Sequence, residues 1–273
     1  MYKTVHHVLV GTSIVRNASR QLKSLESCAR AAPGTPDDEQ CHPSRLDTGI
    51  LDELKSMVSG SPYLLSAELN AMRPWLEAAP SIRGNLIHRV TLYVSDSGAS
   101  RLAATILEWY LQSVGVGDVE PVIVRGFGLP SRFVEGLLAF QQEVSSRLRR
   151  DSSEGYCVLM NLTGGFKMES AVGLLVALPY ASAVYYVHES FRKTVVLPVS
   201  VFMNKEWAKR IFERIRTVPR PVGGVTGYII EGGDEILDCW ASSLQPLGLV
   251  ERFQGGYRLS PELVNLIRVV TGG

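Results

Sequence analysis

The segment Asn161-Leu162-Thr163-Gly164-Gly165-Phe166-Lys167 holds the densest set of chemistry-bearing residues in the chain. Two glycines where a strand turns into a helix let the backbone approach a ligand closely, and the helix that follows aims unpaired N–H groups at it. A lysine in the first helical turn adds a mobile positive charge, and together these suit a phosphate. The plainer reading is a helix cap at Thr163 with Lys167 solvated. It is not a Walker A loop, because the order G-x-x-x-x-G-K-[ST] is absent. Three other turns carry compatible side chains. They are Gly11-Thr12-Ser13, continuing into Arg16 and Asn17, then Ser95-Asp96-Ser97-Gly98, and then Arg125-Gly126-Phe127-Gly128. Each alone could be a simple cap. Four at one edge of a sheet would form a rim of small, polar and basic residues.

The elements that would place these turns follow a regular rhythm. Apolar, β-branched runs predict strands at 5–10, 90–94, 121–124, 156–160, 183–187 and 194–199. Helical patterns separate most of them, at 101–114, 130–149 and 167–179. Ile14, Ala18, Leu22, Leu25 and Ala29 share one face of a further helix, and 31–45, rich in Pro, Gly, Asp and Ser, reads as an exposed loop. Helical segments at 51–58 and 64–76 then read as part of an insertion spanning about 31–85. The fold class is therefore α/β, a Rossmann-like and mostly parallel sheet flanked by helices. Ligands of such sheets bind beyond the carboxyl ends of the strands, where all four turns are expected.

After residue 203 the pattern changes, and two domains are expected, 1–203 and 204–273. Helices at 207–215 and 234–244 precede a Gly248-Leu249-Val250-Glu251-Arg252-Phe253 strand that turns at Gln254-Gly255-Gly256 into Tyr257-Arg258-Leu259-Ser260. That order is winged-helix-like and raises the alternative of a DNA-binding regulator. Six basic residues (Lys205, Lys209, Arg210, Arg214, Arg216, Arg220) precede the helix that would enter the groove. That helix itself carries Asp234, Glu235 and Asp238 with no Lys or Arg, and DNA phosphate would repel it.

Composition narrows the classes further. Lys+Arg 28 against Asp+Glu 27 leaves a formal charge of +1 over 273 residues, which disfavours binding to duplex nucleic acid through a broad basic surface. Cys28, Cys41, Cys157 and Cys239 lie far apart without a CxxC pair, so neither a zinc ribbon nor a dense disulfide framework is expected. The opening lacks a signal peptide's apolar core, and the apolar run 172–187 is broken by Pro179, so no membrane association and a cytoplasmic location are expected. Neither His6-His7 nor His188-Glu189 can chelate one metal, since strand neighbours point to opposite faces. Arg83 and His88 share the R-x4-H spacing of some ribonucleases but lead into a strand. Asp52-Glu53-Leu54-Lys55 contains E-x-K on a helix, and Gly126-Phe127-Gly128 lacks the third glycine of a dinucleotide fingerprint. No cofactor is expected.

The segments HHVLVGTSIVRN, YVSDSG, NLTGGFKMES and YYVHESFRKTVVLP resemble the CRISPR-associated Rossmann-fold (CARF) family. Within it they look most like the archaeal stand-alone ring nucleases that carry a winged-helix tail. The resemblance implies a homodimer whose two-fold axis passes through the pocket, and a cyclic oligoadenylate ligand, most simply cyclic tetra-adenylate, cleaved without a metal. Ser13 and Lys167 map onto the positions that support cleavage. Gly11, Thr12, Arg16, Asn17, Ser95, Asp96, Ser97, Gly98, Arg125, Gly126, Phe127, Asn161, Thr163, Gly164, Gly165 and Phe166 would contact the ring. The tail would serve dimerisation or cover the pocket. A sensor or transcription regulator that binds the ring without cutting it is the alternative. With no histidine obviously placed as a base, slow turnover is expected.

Overall fold

Every residue of β1 (Thr4–Val10) is buried, because the strand lies in the middle of a sheet covered on both faces. The computed structural model describes residues 3–78, 87–165, 167–188, 190, 192–203, 205–219, 226–233 and 235–271. β1 pairs in parallel with β2 (Arg89–Val94) on one side and β4 (Cys157–Asn161) on the other. β3 (Asp118–Ile123), β5 (Ala183–Val187) and β6 (Thr194–Leu197) complete the order β3-β2-β1-β4-β5-β6, with only β6 antiparallel. The register aligns Val10 with Val94 and Val8 with Asn161, bringing the carboxyl ends of these strands to one edge. The strand order reverses between β1 and β4, and a crevice opens at such a point.

Two histidines side by side in a fully buried strand need partners on both faces of the sheet. His6 Nδ1 lies 2.7 Å from the Tyr185 hydroxyl of β5, and His7 Nδ1 lies 2.8 Å from the Tyr93 hydroxyl of β2. His7 Nε2 lies 3.1 Å from Asp151, near the end of α8 (Phe133–Ser153), and Asp151 also accepts from Arg89 and Arg150. Burial lowers the His7 pKa, although Asp151 pulls it upward. Burial acts to raise the Asp151 pKa, but its bonds with His7 and Arg150 leave it below the usual carboxylate value. Neutral His7 beside an ionised Asp151 satisfies both.

Helices pack on either side. α7 (Gly98–Ser113) follows β2, α8 follows β3, and α9 (Lys167–Ala177) follows β4. The continuous helix expected over 14–29 is instead α1 (Ser13–Ala18), a single 3-10 turn, and α2 (Glu26–Arg30). Its apolar residues Leu22, Leu25 and Cys28 still face the core. The exposed loop expected over 31–45 is also corrected. It contains α3 (Pro36–Gln40) and folds over the start of α7, with Asp38 and Cys41 buried. Asp38 accepts from Gly98 N (3.0 Å), Ala99 N (3.1 Å) and Gly34 N (3.0 Å). Gly98 has no room for a side chain, because a Cβ there would meet the Asp38 carbonyl. α4 (Thr48–Gly60), α5 (Pro62–Leu65) and α6 (Ala67–Leu76) complete this layer.

The chain continues through α10 (Val199–Met203) and α11 (Lys205–Arg214) into a second, antiparallel sheet. Its order is β7-β8-β10-β9, from β7 (Arg216–Pro219), β8 (Thr226–Glu231), β9 (Val250–Phe253) and β10 (Gly256–Leu259). α12 (Glu235–Leu244) and α13 (Pro261–Thr271) pack with it. The four cysteines, distant in sequence, pair as Cys28–Cys41 and Cys157–Cys239, and the second pair ties β4 to α12. Trp75 of α6 donates to the Ser243 carbonyl of α12 at 3.2 Å. Among the described residues no helix is long and apolar enough to cross a membrane.

Two stability predictions follow from these buried groups. The native fold refuses a proton at His7 that the unfolded chain accepts, so stability is lost as pH falls below about 6.5. His88, lowered by burial and then by Lys3, adds in the same direction. Calorimetry should show Tm falling through that window, and His7→Gln should flatten the slope without abolishing it. Asp38→Ala strands three backbone donors and is expected to cost about 3 kcal/mol. At about 2–4 °C per kcal/mol for a chain of this size, Tm would drop by about 6–12 °C, with part recovered in Asp38→Asn.

Candidate functional site

A cavity of about 950 Å³ opens at the carboxyl edge of the parallel sheet, over the β1/β4 switch. One wall is the turn after β1. Gly11, Thr12 and Ser13 lead into α1, and exposed Arg16 follows one helical turn later. The opposite wall is the turn after β4, with Thr163, Gly164, Gly165 and exposed Lys167 at the first position of α9. The two walls interlock through backbone. A Cβ on Gly164 would lie 2.2 Å from the Leu9 carbonyl oxygen and 2.5 Å from Gly11 N. Gly165 has a φ of +83°, which favours glycine. The Thr163 hydroxyl accepts from Val187 N at 3.1 Å, joining this turn to β5. Arg16 and Lys167, two cations that line the cavity, make no ion pair with any described residue.

The turn after β1 is not empty. Glu68, in the first turn of α6 and almost fully buried, reaches across to it. Its Oε1 accepts from Gly11 N at 2.8 Å, and its Oε2 accepts from the hydroxyls of Ser13 (2.7 Å) and Ser66 (2.9 Å). Ser13 Oγ in turn accepts from Ala67 N at 3.0 Å. An internal carboxylate thus holds the amide and hydroxyl expected to meet a ligand phosphate. At α7 Asp38 does the same, and the rim there is completed by Ser95, Ser97 and Gly128.

Several expected contact residues are placed elsewhere. Asn17 donates to the Leu65 carbonyl (3.0 Å) and ties α1 to α5. Asp96 pairs with Arg101 (2.7 Å) and accepts from Gly126 N (3.2 Å). Its pKa lies below the ordinary value, since Arg101 and the Gly126 amide outweigh the upward push of burial. Gly98 lies beneath Asp38. Gly126 packs backbone to backbone on Gly136, and Phe127 is core, stacked 4.5 Å from Phe140. Arg125 is exposed and off the cavity. Asn161 is buried beneath the floor, donating to the Glu68 carbonyl at 3.2 Å and accepting from Thr163 N at 3.0 Å. Phe166 lies outside the described residues, as do Arg83 and Glu189.

Among the cavity residues that escaped the sequence reading of the site are three acids and a histidine: Glu68, Asp38, Glu169 and His188. Glu68 had a signal. Leu65, Glu68, Met72 and Trp75 fall on one stripe at helical spacing, so an acid sits on an apolar face. Glu169 lies inside the NLTGGFKMES segment, buried two residues into α9. His188 follows β5 rather than lying in it, and its Nδ1 accepts from Ser190 N at 3.2 Å. Asp38 had little local signal, since two of its three amide partners are 60 and 61 residues away.

Comparison with known proteins adds the family. Among solved structures, one match is Can2 from Sulfobacillus thermosulfidooxidans in complex with cyclic tetra-adenylate, at 10% identity and a TM-score of 0.34. It covers 99% of this chain but 64% of Can2, a likeness too distant to carry an argument. No curated protein matches. The family model described as CRISPR-associated protein (Cas_APE2256) matches residues 63–200, which contain α6 with Glu68, the β4 turn with Lys167, and His188. That span is just over half of the sequence, and the chain belongs to this CRISPR-associated family.

Proposed function

We propose that the chain is a metal-independent ring nuclease that binds cyclic tetra-adenylate and cleaves it to linear di-adenylate ending in a 2′,3′-cyclic phosphate. In this role it switches off a CRISPR signal. The observation that carries the reading is the meeting of Ser13 and Lys167 across one cavity at the strand-order switch. The reaction asks little of the protein beyond placement and charge. The ribose 2′-oxygen must lie in line with the leaving 5′-oxygen, and the charge building on phosphorus must be stabilised. Lys167 and the amides of Gly164 and Gly165 supply that stabilisation, Arg16 anchors a second phosphate, and Ser13 orients the ribose.

A two-fold ring suits two identical half-sites, so the working form is a homodimer. Support comes from exposed apolar side chains on adjoining helices: Val134 (68%) and Leu138 (55%) on α8, with Met168 (53%) and Leu175 (66%) on α9. Such residues at helical spacing fit a self-complementary contact. DNA reading by the tail is disfavoured by the position of α12, whose Leu237, Trp240, Ala241 and Leu244 are buried while a disulfide and Trp75 hold it to the first sheet.

Mass spectrometry after incubation with cyclic tetra-adenylate in excess EDTA is expected to show the linear cyclic-phosphate product. Lys167→Ala should lower the cleavage rate by about 100-fold or more, whereas Arg125→Ala should cleave normally. Intact ring retained by the wild type would make the protein a sensor. Sedimentation is expected to show a dimer, and Leu138→Glu with Leu175→Glu a monomer that no longer binds the ring.

A further inference from the structure

Resting on that reading, we propose that Glu68 fixes the hydrogen-bond polarity of Ser13, so that Ser13 receives the ribose 2′-hydroxyl and relays its proton to the carboxylate. A serine hydroxyl has one hydrogen and two lone pairs. Ser13 Oγ gives its hydrogen to Glu68 Oε2 at 2.7 Å and one lone pair to Ala67 N–H at 3.0 Å. Glu68 accepts three hydrogen bonds there, from Gly11 N, Ser13 and Ser66. What Ser13 keeps for the cavity is a lone pair. A phosphate oxygen, which brings only lone pairs, is a poor partner for it, and a ligand hydroxyl is a good one.

The step balances. As the 2′-oxygen forms its bond to phosphorus, its proton passes to Ser13 Oγ while the serine's own proton passes to Glu68 Oε2. The bond from phosphorus to the 5′-oxygen breaks, and that oxygen takes a proton from water. Glu68 later returns its proton to solvent. Glu68 is a positioning residue, acting through Ser13. The other charged groups around the cavity have different places. Asp38 is committed to three backbone amides, Glu169 approaches from α9, His188 Nδ1 is taken by Ser190 N–H, and Arg16 and Lys167 are cations.

A mere staple between α6 and the β1 turn would also use these bonds, so the test needs readouts a staple does not move. Glu68→Gln keeps the shape and an acceptor for Gly11 N–H, but its NH2 donates to Ser13 and turns the serine's hydrogen toward the cavity. Affinity and single-turnover cleavage are measured using the all-ribose ring and a ring whose 2′-hydroxyls are replaced by fluorine, which can accept but not donate. Wild type should prefer the ribose ring by about tenfold. Glu68→Gln should lose that preference and slow cleavage by about 10²–10³-fold, with Tm within about 3 °C. Unchanged preference and rate in Glu68→Gln overturn the proposal. If that variant does not fold, Ser13→Ala decides, because a ribose preference surviving in it overturns the proposal equally. A wild type that binds without cutting sinks the cleavage reading and the relay, while the preference ratio still tests the polarity of Ser13. A wild type that neither binds nor cuts the ring overturns both readings.

Discussion

One buried strand organises this molecule. β1 has no exposed residue, yet it carries adjacent histidines whose rings must leave on opposite faces of the sheet. A buried ring nitrogen without a partner is costly, so each histidine fixes its neighbours. His6 holds Tyr185 and sits edge-on to Trp75 at 5.3 Å, joining β1 to β5 and α6. His7 holds Tyr93 and Asp151, joining it to β2 and the end of α8. The same Trp75 reaches α12, so the tail is referenced to the same strand. The turn that leaves β1 therefore starts from a point set on both faces, and the β4 turn interlocks with it through Gly164. A site placed there inherits the stiffness of the core.

How much of this the sequence discloses depends on the range of the interaction responsible. The parallel strands are legible because full burial demands β-branched, apolar runs, and the cavity-lining turns after β1 and β4 because glycine, small hydroxyls and lysine cluster there. Local pattern fails where a distant group decides. Segment 31–45 looks solvated because it is polar, but its Asp38 finds amides some sixty residues away and is buried with them. Helix 14–29 breaks although its apolar spacing is regular, since the core takes Leu22, Leu25 and Cys28 equally well from a 3-10 turn and a short helix. Phe127 and Asp96 occupy a plausible rim turn, yet aromatic stacking on Phe140 and a bond to Arg101 claim them for structure. The family match begins at residue 63, inside the stretch read as an insertion, so α6 falls within the family's span.

Three buried acids, Asp38, Glu68 and Glu169, surround the cavity, and two of them take up backbone amides at helix starts. A helix N-terminus attracts anions, and three helices begin at this edge. Asp38 occupies the start of α7, and Glu68 the turn entering α1. The β4 turn, with Gly164, Gly165 and Lys167, has a third buried acid beside it, Glu169, two residues into α9. On the proposed reading, a phosphodiester ligand entering this space meets Lys167 on one wall and, on the other, the hydroxyl of Ser13 held by Glu68 with Arg16 beyond it. On that reading Arg16 takes the second phosphate one helical turn farther along α1, while the hydroxyl of Ser13, bonded to Glu68, is left for a neutral partner. In the proposed reaction, phosphorus lies toward Lys167 and the sugar hydroxyl toward Ser13, which is the orientation that in-line attack by the 2′-oxygen requires.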